Sequence, residues 1–166
     1  MKLEVFDDVL PDPWAYRQMA LAQRYGRVKT PNGVFRGIAS CVDPIIPNVI
    51  AAWHPELVTT LSFFRRSPAG QHEPTYLHTD EEMGDWTAIV YLNPEPPEGD
   101  GTSFWVEGAD HGWTRTHHVA AQFGRLALFA AHQPHSRGLF ENYGAIEDES
   151  ARLVQILFGR GVPVWP

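Results

Sequence analysis

The feature that most constrains the fold is a series of short apolar runs that begins after residue 57. Five such runs, several of them rich in β-branched or aromatic residues, are separated by turn-forming residues: 58–64, 86–92, 102–106, 126–130 and 153–158. Runs of this length and composition, bounded by glycine, proline and polar residues, are typical of β-strands. The pattern therefore predicts a mostly antiparallel β unit, either a sandwich or a small barrel.

The first third of the chain carries helix signals instead. Asp12 followed by Pro13 is typical of a helix N-cap and first helical position, and we predict a helix over residues 14–25 that ends at Gly26. A second helix is predicted over residues 46–53. The fold class expected from these patterns is mainly β with flanking N-terminal helices.

Two further strands are expected in the N-terminal part, because residues 2–6 alternate polar and apolar side chains and residues 34–38 follow a turn signal. A chain of 166 residues fits one domain with one sizeable core. We therefore predict a single domain over residues 1–166, with a helical N-terminal part of about 1–56 and a β-barrel core of about 57–160.

Charge and cysteine content narrow the function classes. The formal net charge is −7, and Arg65-Arg66 is the only basic pair, so nucleic acid is not an expected partner. Cys41 is the only cysteine, which excludes a disulfide within the chain and a metal held by a cluster of cysteines. No apolar run approaches the length that spans a membrane, and we expect a cytoplasmic protein without a membrane partner.

Metal binding is suggested by eight histidines and by one short motif, His78-Thr79-Asp80. Residues two apart in an extended segment point to the same face, so His78 and Asp80 can bind one ion. A third ligand would complete a 2-His-1-carboxylate site, which suits non-haem Fe(II). His132 and His135 both follow the run 126–130, and strand parity does not choose between them because a turn intervenes.

The order of motifs along the chain carries a resemblance to a known family. After His78-Thr79-Asp80 come Tyr91-Leu92-Asn93, then Gly99-Asp100-Gly101-Thr102, then Leu126-Ala127-Leu128-Phe129 six residues before His135, and last Arg152 at the head of an apolar run. Over residues 61–159 this order resembles the 2-oxoglutarate/Fe(II)-dependent dioxygenase superfamily, especially its prolyl-4-hydroxylase-like branch. The resemblance implies a double-stranded β-helix, a jelly-roll or cupin-like barrel.

The resemblance also implies roles for individual residues. His78, Asp80 and His135 match the catalytic iron ligands, which favours His135 over His132. Arg152 matches the basic residue that binds the far carboxylate of 2-oxoglutarate, and an arginine fork suits a carboxylate. Tyr76 shares the strand parity of His78, which leaves two interpretations: it lines the same cavity and its hydroxyl bonds the cosubstrate or a group next to it, or it is a core tyrosine.

The implied activity uses Fe(II), O2 and 2-oxoglutarate as cosubstrate. Such an enzyme couples oxidative decarboxylation of 2-oxoglutarate to hydroxylation of a substrate, here a peptide side chain, an amino acid or a small metabolite. Two alternatives stay open: a cupin-like enzyme that uses another divalent metal without redox chemistry, and a catalytically silent binding module. The sequence predicts neither the substrate nor the oligomeric state.

Some residues depart from the family pattern. Arg152 lies seventeen residues after His135, and the intervening segment 140–150 contains four acidic residues. The prolyl-4-hydroxylase branch more often has lysine at the position of Arg152. Phe158 stands where the nucleic-acid-demethylating branch has a second arginine. Arg65, on the preceding predicted strand 61–66, could reach an acidic substrate, but we favour its interpretation as a solvated edge residue.

Overall fold

The computed structural model describes residues 1–165, which form two helices and ten strands. The helices are α1 (Pro13–Leu21) and α2 (Ile45–Trp53). The strands are β1 (Leu3–Phe6), β2 (Gly26–Thr30), β3 (Gly33–Ser40), β4 (Val58–Ser67), β5 (Trp86–Tyr91), β6 (Gly101–Glu107), β7 (Trp113–Ala120), β8 (Leu126–Ala130), β9 (His135–Arg137) and β10 (Arg152–Arg160). Neither helix is long and apolar enough to cross a lipid bilayer.

The strands form two antiparallel sheets. The larger sheet has the order β1-β8-β5-β10-β4-β3-β2, and the smaller has the order β7-β6-β9. Strands that are distant in sequence are neighbours, since β10 lies between β5 and β4. This arrangement of two facing sheets confirms the predicted mainly β fold with a double-stranded β-helix.

The larger sheet is covered on both faces, and its central strands show this in their side chains. All six residues of β5 are buried. Ala88 and Val90 pack with the helices in one apolar cluster, whereas Ile89 and Tyr91 pack in a second cluster between the sheets. The alternation follows from the two-residue period of a strand. Because both faces of β5 are buried, the strand appears in the sequence as a continuous apolar run, and this made it predictable.

Helix α1 begins where the sequence predicts and ends earlier. The Asp12 side chain accepts a hydrogen bond from the Ala15 N–H at 2.9 Å, and Pro13 takes the first helical position. The helix ends at Leu21, so the predicted end at Gly26 is wrong. Gly26 instead opens β2, because pairing with β3 extends the larger sheet at that point.

Three strands have no clear signal in the sequence, namely β2, β7 and β9. Strand β2 is largely exposed, β7 is an edge strand with six exposed residues out of eight, and β9 has only three residues. Exposed edge strands need no apolar run, because only a buried face demands one. Apolar patterning therefore found the central strands and missed these.

A glycine near the end of β10 makes room for a large core side chain. The register of β10 against β4 shifts between Phe158 and Gly159. A Cβ atom at Gly159 would lie 2.1 Å from Cζ2 of Trp86 and 2.3 Å from the Val58 carbonyl oxygen. Trp86 is fully buried. This close approach of backbone and indole ring requires glycine at position 159.

Candidate metal centre and cavity

Two paired backbone segments carry the three predicted ligands. The His78 N–H donates to the His135 carbonyl at 3.0 Å, and the His135 N–H donates to the His78 carbonyl at 2.9 Å. The Asp80 N–H donates to the Ala131 carbonyl at 2.8 Å. These bonds hold residues 78–80 as an extended segment beside β9. Because residues two apart in such a segment share a face, the His78 and Asp80 side chains point the same way.

The three side chains meet at one point. One ligand atom from each of His78, Asp80 and His135 lies within 4.8 Å of the others. The Nε2 atom of His78 is 3.5 Å from Asp80 Oδ1, and the Nε2 atom of His135 is 3.2 Å from Asp80 Oδ2. Asp80 and His135 are buried, and His78 is partly exposed. The three side chains are therefore shielded from solvent on the side of Asp80 and His135 and accessible on the side of His78.

The backbone fixes which ring nitrogen faces the centre. The Nδ1 atom of His78 lies 3.1 Å from the Tyr76 carbonyl oxygen, and that of His135 lies 3.0 Å from the Gln133 carbonyl oxygen. A carbonyl oxygen only accepts, so each Nδ1 carries its hydrogen and each Nε2 faces Asp80, where its lone pair would be available to a bound metal. Two lone pairs and a carboxylate converging on one point favour a cation there, so these residues fit a divalent metal.

Electrostatics favour the metal-binding forms of His78 and Asp80. Burial lowers the pKa of His78, and the neighbouring His135 lowers it further, so the ring is neutral at pH 7. Burial alone would raise the pKa of Asp80, but the hydrogen bond and charge of His135 lower it below its usual value. Thr87 donates a hydrogen bond to Asp80 Oδ2 at 2.9 Å and orients the carboxylate. Neutral imidazoles and an ionised carboxylate are the species that ligate metals.

The other histidines stand apart from this group. His132, the alternative third ligand, is exposed at the turn that follows β8. Within residues 1–165, the cluster that can hold a metal contains His78, Asp80 and His135 and no other histidine. The geometry thus brings together the three residues that the family resemblance selected.

The triad lies in the wall of a cavity of about 620 Å³ between the two sheets. A volume of this size accommodates a small ligand and part of a second one. Arg152 and Tyr76 both line this cavity. Much of the remaining wall is apolar and includes Phe35, Leu61 and Phe63.

Arg152 has a partner that the sequence did not reveal. Its Nε atom donates to Asp100 Oδ1 at 2.9 Å, and Tyr143 donates to Asp100 Oδ2 at 2.7 Å. Arg152 and Asp100 are both buried. Burial alone would lower the pKa of Arg152, but the charge and hydrogen bond of Asp100 raise it above its usual value. The terminal nitrogens Nη1 and Nη2 of Arg152 remain for a ligand. Of these, Nη2 also donates a long hydrogen bond, 3.4 Å, to the Gly101 carbonyl oxygen.

The interpretation of Arg65 as a solvated edge residue is wrong. Its strand, β4, is an interior strand between β3 and β10, and the Arg65 side chain is only 13% exposed. It lines the cavity and forms an ion pair with Glu73, whose side chain is 7% exposed. The error arose because β3, which covers this side of β4, comes from the part of the chain predicted to be mainly helical.

Two cavity residues could have been identified from strand parity. Thr87 shares the inward face of β5 with Ile89 and Tyr91, and Arg137 shares the face of β9 with His135. Asp100 and Glu73 had no comparable signal. They lie in irregular segments between strands, and their partners are 52 and 8 residues away along the chain.

No protein-family model matches the sequence, and no curated protein matches it. Solved structures do match. The alpha ketoglutarate dependent epimerase SnoN from nogalamycin biosynthesis, in complex with Fe3+, alpha ketoglutarate and nogalamycin RO, is 14% identical with a TM-score of 0.56. That match covers 94% of this chain and 77% of SnoN.

Two prolyl hydroxylases are similar to a comparable degree. The enzyme from Trichoplax adhaerens, in complex with a hypoxia inducible factor peptide fragment, is 14% identical with a TM-score of 0.56, over 95% of this chain and 83% of that one. The Pseudomonas putida prolyl-4-hydroxylase is 17% identical with a TM-score of 0.52, over 97% and 93%. The fold of this chain is therefore that of the 2-oxoglutarate/Fe(II)-dependent oxygenases, as the sequence resemblance implied.

Proposed function

We propose that this protein is a non-haem Fe(II) oxygenase that uses 2-oxoglutarate and O2. The observation that carries the proposal is the convergence of two histidine Nε2 atoms and one carboxylate on the wall of a cavity that Arg152 also lines. The set of His78, Asp80 and His135 leaves coordination sites open for a chelating cosubstrate, as in other facial triads. Iron of this kind supplies the oxidative chemistry, while the protein positions the reactants.

Each side chain has a defined task in this proposal. His78, Asp80 and His135 hold the metal, and the carbonyl oxygens behind the two rings keep each Nε2 directed at it. Arg152 binds the far carboxylate of 2-oxoglutarate through its free terminal nitrogens. Tyr76 lines the same cavity and contacts the bound cosubstrate or substrate. The apolar wall excludes water from the reacting groups.

Hydroxylation is the reaction that we propose. The similar structures include both prolyl hydroxylases and an epimerase, so proteins of this fold differ in outcome. The substrate is proposed to be a peptide side chain, an amino acid or a small metabolite, since the cavity admits a group of limited size. Which of these substrates enters the cavity depends on the lining residues other than His78, Asp80 and His135.

The test is an anaerobic titration of Fe(II)-loaded protein with 2-oxoglutarate, followed by the weak visible charge-transfer band of the chelate. We expect the band in the wild type, no band in Asp80→Ala or His135→Ala, and weaker 2-oxoglutarate binding in Arg152→Met. The matched control is His132→Ala, which removes an exposed histidine three residues from His135 and should retain the band. A band of normal intensity in Asp80→Ala would refute the proposal.

One observation keeps a second function open. Asp100 already neutralises Arg152, so a buried arginine here is stable without 2-oxoglutarate. A cupin-like enzyme with another divalent metal and no redox chemistry would also fit this geometry. Tight metal binding without any 2-oxoglutarate band would favour that function over the oxygenase.

A further inference from the structure

Three guanidinium groups line the cavity, but only two of them have a carboxylate partner. Arg65 is paired with Glu73, and Arg152 is paired with Asp100. Among residues 1–165, no carboxylate oxygen lies within 4.0 Å of the Arg137 guanidinium. Arg137 is therefore the one of these three guanidinium groups that has no ion-pair partner among residues 1–165.

The position of Arg137 directs it toward the cavity. It follows His135 by two residues on β9, so both side chains point to the same face. Its Nε atom donates to the Phe140 carbonyl at 3.0 Å, and its Nη2 atom bonds the same oxygen. The guanidinium carbon lies 5.2 Å from the centre of the Tyr76 ring. One edge of the fork is thus fixed, and Nη1 has no acceptor within the described part of the chain.

Burial lowers the pKa of Arg137 and the charge of Glu73 partly offsets this, but the hydrogen bonds of Glu73 are made to other groups. Glu73 accepts hydrogen bonds from Arg65, from Gln71 at 3.1 Å and from Asn142 at 2.8 Å. A half-buried guanidinium without an anion is costly in a largely apolar cavity. A planar, preoriented arginine fork is well matched to a carboxylate.

We infer that Arg137 anchors a carboxylate at a position distinct from the Arg152–Asp100 pair. This inference rests on the proposed function and deepens it. The carboxylate has two sources: the substrate itself, or the far end of 2-oxoglutarate, which Arg137 would then bind in addition to Arg152. In the first case the substrate is an amphipathic acid, because the adjoining wall contains Phe35, Leu61 and Phe63.

The experiment compares wild type, Arg137→Gln, Arg137→Lys and, as the matched control, Arg115→Gln, which removes an exposed charge on β7. The first arm measures the Kd of 2-oxoglutarate from the charge-transfer band of the anaerobic Fe(II) protein. The second arm measures calorimetric binding of octanoate and 1-octanol to the Fe(II) protein saturated with 2-oxoglutarate. Thermal unfolding of each variant checks that the fold is intact.

The two sources give different results. If Arg137 binds the cosubstrate, Arg137→Gln raises the Kd of 2-oxoglutarate by at least about tenfold, and Arg137→Lys falls between it and the wild type. If Arg137 binds the substrate, the Kd of 2-oxoglutarate stays within about twofold. Octanoate binding then weakens by at least about tenfold, and octanol binding is unchanged.

The inference is overturned if 2-oxoglutarate affinity is unchanged and octanoate either fails to bind the wild type or binds Arg137→Gln equally well. A wild type without any charge-transfer band would instead contradict the proposed function. In that event octanoate binding to the metal-free wild type and Arg137→Gln proteins still decides whether Arg137 anchors a carboxylate.

Discussion

Removing the negative charge of Asp100 should destabilise the protein strongly, because it leaves Arg152 buried without an anion. Asp100 is 3% exposed and Arg152 is 8% exposed. Asp100 accepts hydrogen bonds from Arg152, from Tyr143 and from the Gly101 N–H. Breaking a buried ion pair from one side costs about 3–5 kcal/mol. For a chain of this size, 3 kcal/mol corresponds to a fall in Tm of roughly 6–12 °C.

The assay is urea unfolding of Asp100→Asn followed by tryptophan fluorescence, together with Arg152→Met and the double variant. We expect the loss of unfolding free energy in the double variant to be smaller than the sum of the losses in the two single variants. The difference, which is the coupling energy of the pair, should be about 2 kcal/mol or more. The matched control is Asp7→Asn, which breaks the ion pair of Arg125 with a carboxylate that is 45% exposed. Exposed pairs contribute about 0–1 kcal/mol.

The same pair has an opposite effect on ligand binding. With Asp100 neutral, Arg152 is free to interact with 2-oxoglutarate alone, so Asp100→Asn should bind 2-oxoglutarate more tightly than the wild type, whereas Arg152→Met should bind it more weakly. The reasoning is refuted if Asp100→Asn unfolds at the same urea concentration as Asp7→Asn. It is also refuted if the effects of Asp100→Asn and Arg152→Met on stability are additive.

Three other substitutions test separate parts of the structure. Thr87→Val removes the hydroxyl that orients Asp80 and should weaken metal binding by about 10–100-fold in a metal titration, while Thr87→Ser should not. Gly159→Ala should lower the free energy of unfolding by about 2 kcal/mol or more, because its Cβ would overlap Trp86. The control is Gly26→Ala, which should leave the free energy of unfolding nearly unchanged because a Cβ at Gly26 meets no atom within 4 Å. Burial alone would lower the pKa of His54, but Glu4 and Glu56 raise it above 6.5. The charged form of His54 therefore stabilises the fold fully below about pH 6.5, and this stabilisation is lost as the pH rises through the pKa of His54 in the folded protein. The Tm should accordingly fall with rising pH in this range, and His54→Gln should abolish that dependence. An unchanged pH slope in His54→Gln would show that other groups produce it.

The sequence predicted those parts of the fold that depend on burial. Strand β5 and the head of β10 are buried on both faces, so they appear as continuous apolar runs. The His78-Thr79-Asp80 motif was interpretable because its spacing puts both side chains on one face. The choice of His135 over His132 came from family resemblance alone, since a turn separates both from β8.

The sequence did not predict contacts made between segments far apart in the chain. Strand β2 is exposed and lacks an apolar face, yet it pairs with β3, the strand that lies beside Arg65 on β4, and so extends the larger sheet. Asp100 and Glu73 lie in irregular segments, where no periodicity indicates which way a side chain points. Polar partners of this kind become identifiable only when the pairing of the strands around them is known.

The distribution of charge over the two sheets explains how the irregular segments around the cavity are held. Arg65 and Arg152 lie on adjacent strands of the larger sheet, where Arg65 is opposite Val154 and Arg152 is opposite Ser67. Their like charges repel, and each is compensated by an acid from outside that sheet, Glu73 or Asp100.

The compensating acids thereby fix two segments that have few apolar anchors. The segment that leads to His78 is held through Glu73, and the turn before β6 is held through Asp100. The metal ligands come from the smaller sheet and the segment beside it. A change in the metal ligands should therefore abolish metal binding without disturbing the ion pairs, whereas a change in either acid should affect both the stability of the fold and the shape of the cavity.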